Sequence, residues 1–296
     1  MNFPKFTLLI GLPGSGKSYF AKQLKRNKDN VIILSSDSIR EELFGNESSQ
    51  EDNNKVFEEM LTLTIQYLNE GKDVIYDATN VVRKRRISLL QRLPSYVIKE
   101  CFVVWAPVIT CVERDKSRGR TVGMDVIMKF VKIYKPPFFD EGWTHIKYHF
   151  SDLTFDTYKY KEKIEFMMEE PHDNPHHTLS ISEHCNKCSE IINSYTDSVM
   201  FCYAAEWHDC GKPYVKSFTN NKGEPTKDAH YYNHQNVGSY IIPGILKNYR
   251  ELHITPISWL VNVHMDHYLN TKYYKQLPEF LKKYIDILHY ADVSAH

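Results

Sequence analysis

The chain has 296 residues, 42% hydrophobic and 25% charged, with a formal net charge of zero. That composition excludes a disordered or low-complexity protein and leaves room for two domains. The charge is unevenly spread: residues 1–150 carry 23 Lys and Arg against 18 Asp and Glu, and residues 151–296 carry 14 against 19, so the first half is the one suited to an anionic partner.

Phe6–Ile10 is a short apolar run that reads as a buried strand. Gly11-Leu12-Pro13-Gly14-Ser15-Gly16-Lys17-Ser18 follows and fits G-x-x-x-x-G-K-[S/T], the loop that cradles phosphates, and Tyr19–Leu24 reads as the start of a helix. Glycines at 11, 14 and 16 let the backbone N–H groups, Ser15 included, turn toward phosphate oxygens at a helix N-terminus. Lys17 is expected to reach the β- and γ-phosphates of ATP, and the Ser18 hydroxyl to help hold Mg²⁺. Val31–Leu34 is a second strand that ends at Ser35-Ser36-Asp37-Ser38. Asp37 then lies near the phosphates, or it merely caps a helix over Ile39–Phe44. A long helix spans about Glu51 to Glu70, and Gly71 ends it. Asp73–Asp77 is the third strand and runs into Ala78-Thr79-Asn80. The basic run Arg83-Lys84-Arg85-Arg86 is either a solvated helix face or a landing surface for a polyanion. Lys99–Trp105 is the fourth strand. A helix from Val108, a connector Gly119–Gly123 and a helix from Met124 to Tyr134 come next. Arg114, Arg118 and Arg120 around that connector suit a lid that neutralises charge on a transferred phosphoryl group. Thr144–Phe150 reads as a last strand.

These pieces, GLPGSGKS, SSDSIR, DATN and CVERDKSRG followed by VGMDVI, resemble the 5′-OH polynucleotide kinase branch of P-loop phosphotransferases. The resemblance implies an α/β domain, a parallel sheet flanked by helices, over residues 1–150. It implies that Asp37 is the general base on the 5′-hydroxyl and that Arg40 contacts the acceptor phosphate. Asp77 helps organise the site, and Arg114 and Arg118 are the lid arginines.

Pro136-Pro137 breaks the preceding helix, and residues 151–172 read as a linker. From there glycines become few, and twelve of the fourteen histidines lie at or beyond His172. Trp207-His208-Asp209-Cys210-Gly211-Lys212-Pro213 resembles the signature of the HD phosphohydrolase superfamily. His184 and Asp292 complete its H…HD…D set, and His234 and His264 match the expanded version. The resemblance implies an all-α domain over 173–296 that holds one or two divalent transition metal ions, with Lys212 facing the phosphate. Imidazole and carboxylate are suitable ligands for such ions. Cys185-x-x-Cys188 has no second pair beside it and reads as one face of a helix. Six cysteines are too sparse for a disulfide framework, no stretch approaches the ~20 apolar residues of a membrane span, and no secretion signal is apparent, so a reduced, cytoplasmic setting away from membranes is expected.

Joined, the two halves resemble bifunctional end-healing enzymes that act on RNA or DNA ends. The expected function is ATP-dependent phosphorylation of 5′-OH ends with metal-dependent removal of 2′,3′-cyclic, 2′- or 3′-phosphates. Two alternatives stand beside it. One is a small-molecule or nucleotide kinase fused to a nucleotide phosphohydrolase. The other is a nucleotide-responsive binding module.

Overall fold

The computed structural model describes residues 3–47, 51–119, 121–174, 178–249, 251–269 and 271–295, the side chains of 251 and 252 excepted. Arg120, His176, His177 and His296 lie outside the described residues. The chain divides into two compact units, Met1–Phe130 with Pro137–Leu153, and Val131–Pro136 with Thr154–His296.

The first unit is built on five parallel strands: β1 (Lys5–Ile10), β2 (Val31–Ser35), β3 (Asp73–Asp77), β4 (Ile98–Trp105) and β5 (His145–Phe150), in the order β2-β3-β1-β4-β5. The apolar runs are continuous because helices cover both faces of a parallel sheet. These helices are α1 (Lys17–Lys25), α2 (Ser36–Phe44), α3 (Asn53–Asn69), α4 (Arg83–Arg92), α5 (Val108–Lys116) and α6 (Met124–Lys132). Leu9, Phe20, Ala21, Val31, Ile75 and Val104 form one buried cluster that fixes α1 on the sheet. In the register, Leu9 and Ser35 both stand opposite Asp77. The carboxyl ends of β1, β2 and β3 are therefore level, and the segments that leave them share one edge, where ligands bind in such sheets.

Half of the basic run at the start of α4 is engaged within the protein. Arg86 is fully buried, and its Nε and Nη2 donate to the two Glu141 oxygens at 2.8 and 2.7 Å. Its Nη1 donates to the Asn80 carbonyl at 3.0 Å. Arg83 pairs with Asp140 at 2.7 Å, so only Lys84 and Arg85 of the run are exposed. Glu141 also accepts from the Trp143 indole at 3.1 Å.

The second unit contains α7 (Thr157–Met168), α8 (Ile181–Tyr195), α9 (Val199–Trp207), α10 (His234–Ile245), α11 (Glu251–Val263), α12 (Lys272–Gln276) and α13 (Glu279–Ser294). The segment expected as a linker holds α7, which buries Ile164 and Met168 and is capped by the Asp156 carboxylate. Nor is this unit purely helical, because β6 (Ser217–Thr219) and β7 (Pro225–His230) form an antiparallel hairpin. A capping box of Ser180 and Glu183 starts α8, which buries Ile181, His184, Cys185, Cys188 and Ile192 along one stripe. Burial pushes the Cys188 thiol up to about 12, so this pair is a packed helix face. Helix α10 is buried along nearly its whole length, and Asn262 donates to Asn236 and Ser239 at 3.0 and 3.1 Å to join α11 to it. No helix of the described residues is long and apolar enough to cross a membrane.

The Arg86–Glu141 pair is testable by urea unfolding of the full chain. Arg86→Ala leaves a buried carboxylate without its main partner and is expected to cost about 3–5 kcal/mol.

Candidate functional site

In the first unit, β1 delivers the chain into a loop that only glycine can trace. Gly14 and Gly16 have φ of +79° and +89°, and a Cβ on Gly14 would meet the Cys111 carbonyl oxygen at 2.2 Å. The Gly11 N–H donates to the Thr79 carbonyl at 3.0 Å, which ties the loop to the segment leaving β3. Ser15 is fully buried and Ser18 is exposed on the first turn of α1. Lys17 is buried and folds back so that Nζ donates to the Leu12 carbonyl at 2.8 Å. Burial pulls its pKa down. Asp77 is the strongest of the groups that oppose this, Arg118 adds to it, and Asp37 opposes it weakly. The structure therefore brings Lys17, Asp77, Arg118 and Asp37 into one electrostatic neighbourhood. An anion placed there gains from an incompletely solvated ammonium.

Asp37 does not cap its helix. The cap of α2 is Ser35, whose Oγ accepts from the Asp37 N–H at 3.3 Å, so the Asp37 carboxylate points elsewhere and remains 57% exposed. It pairs with Arg40 at 2.9 Å, and Arg40 also donates to the Ser36 carbonyl and to Asn53. Arg40 is thus occupied by the expected base. Asp77 is buried at the end of β3. Asn80, at φ +51°, donates to the Leu9 carbonyl at 2.8 Å and braces the chain against β1.

The lid segment is only partly free. Arg114 donates from Nη1 to Ser151 Oγ at 2.9 Å and from Nη2 to the Ser151 carbonyl at 3.1 Å, and this pair lies against Gly16. Arg118 is exposed after α5. The buried Asp115 carboxylate accepts from the Val122 and Gly123 N–H groups at 3.0 and 2.9 Å. Asp115, Ser151 and Asn80 were missed as site-building residues because their partners are backbone groups or lie far along the chain.

The second unit gathers all six expected ligands. His184, His208, Asp209 and Asp292 bring ligand atoms within 4.8 Å of one another, and so do Asp209, His234 and His264. Asp209 belongs to both groups. Its Oδ2 stands 3.4 Å from His208 Nε2 and its Oδ1 3.1 Å from His234 Nε2. Asp292 Oδ1 lies 2.9 Å from His184 Nε2 and 3.4 Å from His208 Nε2. Each histidine is turned the same way. Nδ1 bonds to a carbonyl, that of Ala295 for His184, Ala205 for His208, Tyr231 for His234 and Val261 for His264, at 2.7–2.8 Å. That bond selects the tautomer with the Nε2 lone pair directed inward, as a metal ligand requires. His208 Nε2 is buried and makes no hydrogen bond. Burial, with His234 and His208 nearby, lowers His264 to about 3, so its imidazole is neutral at pH 7. Burial opposes ionisation of Asp209, yet Lys212 and His208 hold it well below the usual carboxylate range. Lys212 Nζ is 2.6 Å from Asp209 Oδ2. One buried and one partly buried carboxylate, both held well below the usual carboxylate range, among four inward-facing imidazoles fit one or two divalent transition metal ions.

Backbone contact sets this geometry. A Cβ on Gly211 would sit 2.1 Å from the His234 carbonyl oxygen, so only glycine lets the His208–Asp209 turn reach α10. Asn233, at φ +67°, takes the left-handed position just before His234, one that a short polar side chain tolerates.

Residues 6–137 match the family model described as AAA domain. No curated protein matches the chain. Among solved structures, the chain is similar to a component of the Pnkp1/Rnl/Hen1 complex, with 30% identity over 38% of this chain and 40% of that one and a TM-score of 0.36. A component of the Pnkp1/Rnl/Hen1 RNA repair complex gives 27% identity over 45% and 44% with a TM-score of 0.42. A gluconokinase from Sinorhizobium meliloti gives 16% over 50% and 83% with a TM-score of 0.35. The chain spans less than half the length of the first two. The parallel five-stranded sheet flanked by helices and the loop geometry fit a P-loop kinase domain in the first unit, for which ATP and Mg²⁺ are the implied ligands.

Removing the Asp115 carboxylate tests how firmly the lid segment is held. Asp115→Ala frees two backbone N–H groups and is expected to destabilise the local structure by about 1–2 kcal/mol. Tryptic cleavage after Lys116 and Arg118 then rises roughly tenfold while global unfolding changes little.

Proposed function

We propose that this chain heals broken nucleic-acid ends with two activities. The first unit transfers the γ-phosphoryl of ATP to a 5′-hydroxyl. The second removes a 2′,3′-cyclic, 2′- or 3′-phosphate. The observation that carries the kinase reading is Asp37: a half-exposed carboxylate, freed from capping by Ser35 and within Coulombic reach of Lys17. A hydroxyl must lose its proton as it attacks phosphorus, and a carboxylate held at that point contributes about 10²–10⁴-fold. Lys17 and the N–H groups of Gly14, Ser15 and Gly16 hold the phosphates, Ser18 helps hold Mg²⁺, and Arg118 meets charge that develops on the transferred group. In this reading the acceptor strand's phosphate competes with Asp37 for Arg40, which places the hydroxyl next to its base. The Ser-Asp-x-x-Arg spacing of Asp37 and Arg40 supports a 5′ end as acceptor.

For the second unit the support is the shared carboxylate of Asp209 and the uniform inward aim of Nε2 from His184, His208, His234 and His264, with Asp292 completing the set. Divalent ions bound there would supply a Lewis acid for the phosphoryl oxygen and acidify water. Lys212, which pairs with Asp209 at 2.6 Å, would face the phosphate with divalent ions bound there.

One RNA with a 5′-OH and a 2′,3′-cyclic phosphate end, given ATP and a panel of divalent metals, tests both halves. Lys17→Ala and Asp37→Ala are expected to lower 5′ phosphorylation by at least about 10²-fold and leave the 3′ end chemistry intact. Asp209→Ala should do the reverse. Transfer of label from ATP to a free nucleoside but never to the RNA end would contradict the choice of acceptor. Loss of both activities in a folded Asp209→Ala protein would contradict two separate sites.

A further inference from the structure

The two oxygens of Asp292 have different surroundings. Oδ1 faces Nε2 of His184 at 2.9 Å and Nε2 of His208 at 3.4 Å. Oδ2 faces a donor instead, for the Tyr268 hydroxyl bonds to it at 2.5 Å. An ionised carboxylate only accepts, so the proton in that bond is the tyrosine's. Bonds of this charge-assisted kind are short and strong enough to fix a direction.

Tyr268 reaches Asp292 from another stretch of chain. It follows His264, a ligand of the other group, by four residues, just beyond the short 3-10 turn His264–Asp266. The Leu269 N–H donates to the Met265 carbonyl at 3.1 Å, and the Thr271 N–H to the Asp266 carbonyl at 3.3 Å, which closes the backbone around it. The Tyr268 ring meets the His289 ring edge-on at 4.3 Å, and His289 stacks on His267 at 3.9 Å. His289 and Asp292 are three residues apart on α13 and so share one face of that helix. Ring and hydroxyl of Tyr268 thus rest on two neighbouring points of one face, and the hydroxyl is aimed by its own ring. Burial does not demand this bond. Tyr268 is 45% exposed, and water could serve its hydroxyl equally well. What the bond decides is how the Asp292 carboxylate is turned: a rotation that offered Oδ2 to the centre would break it.

We infer that Tyr268 is a positioning residue of the histidine–aspartate centre: its hydroxyl holds Asp292 by Oδ2, so that Oδ1 alone is presented beside His184 and His208. The inference rests on reading that centre as a metal site. Partners of this kind orient the ligands, and their loss typically lowers metal affinity or activity about 10- to 100-fold.

The test is titration of the chelator-treated full chain with Co²⁺ alone, followed by calorimetry and by the visible absorption of the bound ion. Tyr268→Phe removes the hydroxyl and keeps the ring on His289. It is expected to weaken Co²⁺ binding about 10-fold and to shift the visible spectrum, because the freed carboxylate turns. A role in packing alone would leave both as in the parent. If Tyr268→Phe does not fold, His289→Ala decides: it removes the ring's support and leaves the hydroxyl, and a smaller loss of the same sign is expected. Co²⁺ affinity and spectrum unchanged in the folded variant would overturn the inference and leave the metal site standing. A parent protein that binds no Co²⁺ would overturn the metal reading beneath it.

Discussion

A charge taken out of water has to be met on every side, and Asp209 states that constraint for the second unit. Its side chain is 2% exposed, and its two oxygens are approached by Lys212 and by imidazoles from separate stretches of chain. Helices α8, α9, α10 and α13 pack where they do partly because each brings a group to that carboxylate or its neighbours. The requirement reaches into the backbone as well. Gly211 has no side chain because at that point the turn carrying Asp209 meets the α10 backbone too closely for a Cβ. In the first unit the same constraint appears with the sign reversed. Lys17 is the buried charge, and Asp77 and the Leu12 carbonyl answer it.

Much of this was legible in the sequence. A strand buried on both faces has to be a continuous apolar run, so β1, β2, β3 and β4 could be read to within a residue or so of their ends. The phosphate loop was legible because its backbone path forbids side chains at fixed places. The ligand histidines were legible through the spacing of a recognisable pattern. What was not legible had partners remote in sequence. Nothing near Arg86 announces that Glu141, fifty-five positions on, will neutralise it. The first turn of α4 therefore reads as a basic surface when half of it is a buried ion pair. Helix α7 was missed because its amphipathic signal is weak: Ile164 and Met168 are buried while Tyr158 and Phe166 are exposed. The β6–β7 hairpin was missed because its strands are polar and mostly exposed, so no alternation of apolar residues marks them.

Several residues changed meaning between sequence and structure without changing place. Arg40, expected on a substrate phosphate, is already bound to the carboxylate it was expected to work beside. Pairing of this kind keeps a half-exposed acid oriented and gives an incoming anion something to displace. Arg114, expected on a moving lid, is fastened to Ser151 beside the phosphate loop, which leaves Arg118 as the exposed arginine at the end of α5.

The carbonyls that orient the four ligand histidines differ in how far away they are along the chain. Those for His208, His234 and His264 belong to Ala205, Tyr231 and Val261, each three residues earlier. These rings are set as soon as their own helical turns form. His184 instead depends on Ala295, more than a hundred residues later, and its neighbour Asp292 sits on the same terminal helix. The two ligand groups therefore differ in how much of the chain they need. Asp209, His234 and His264 can assemble from α10, α11 and the turn after α9, whereas the group that contains His184 is completed only when α13 docks.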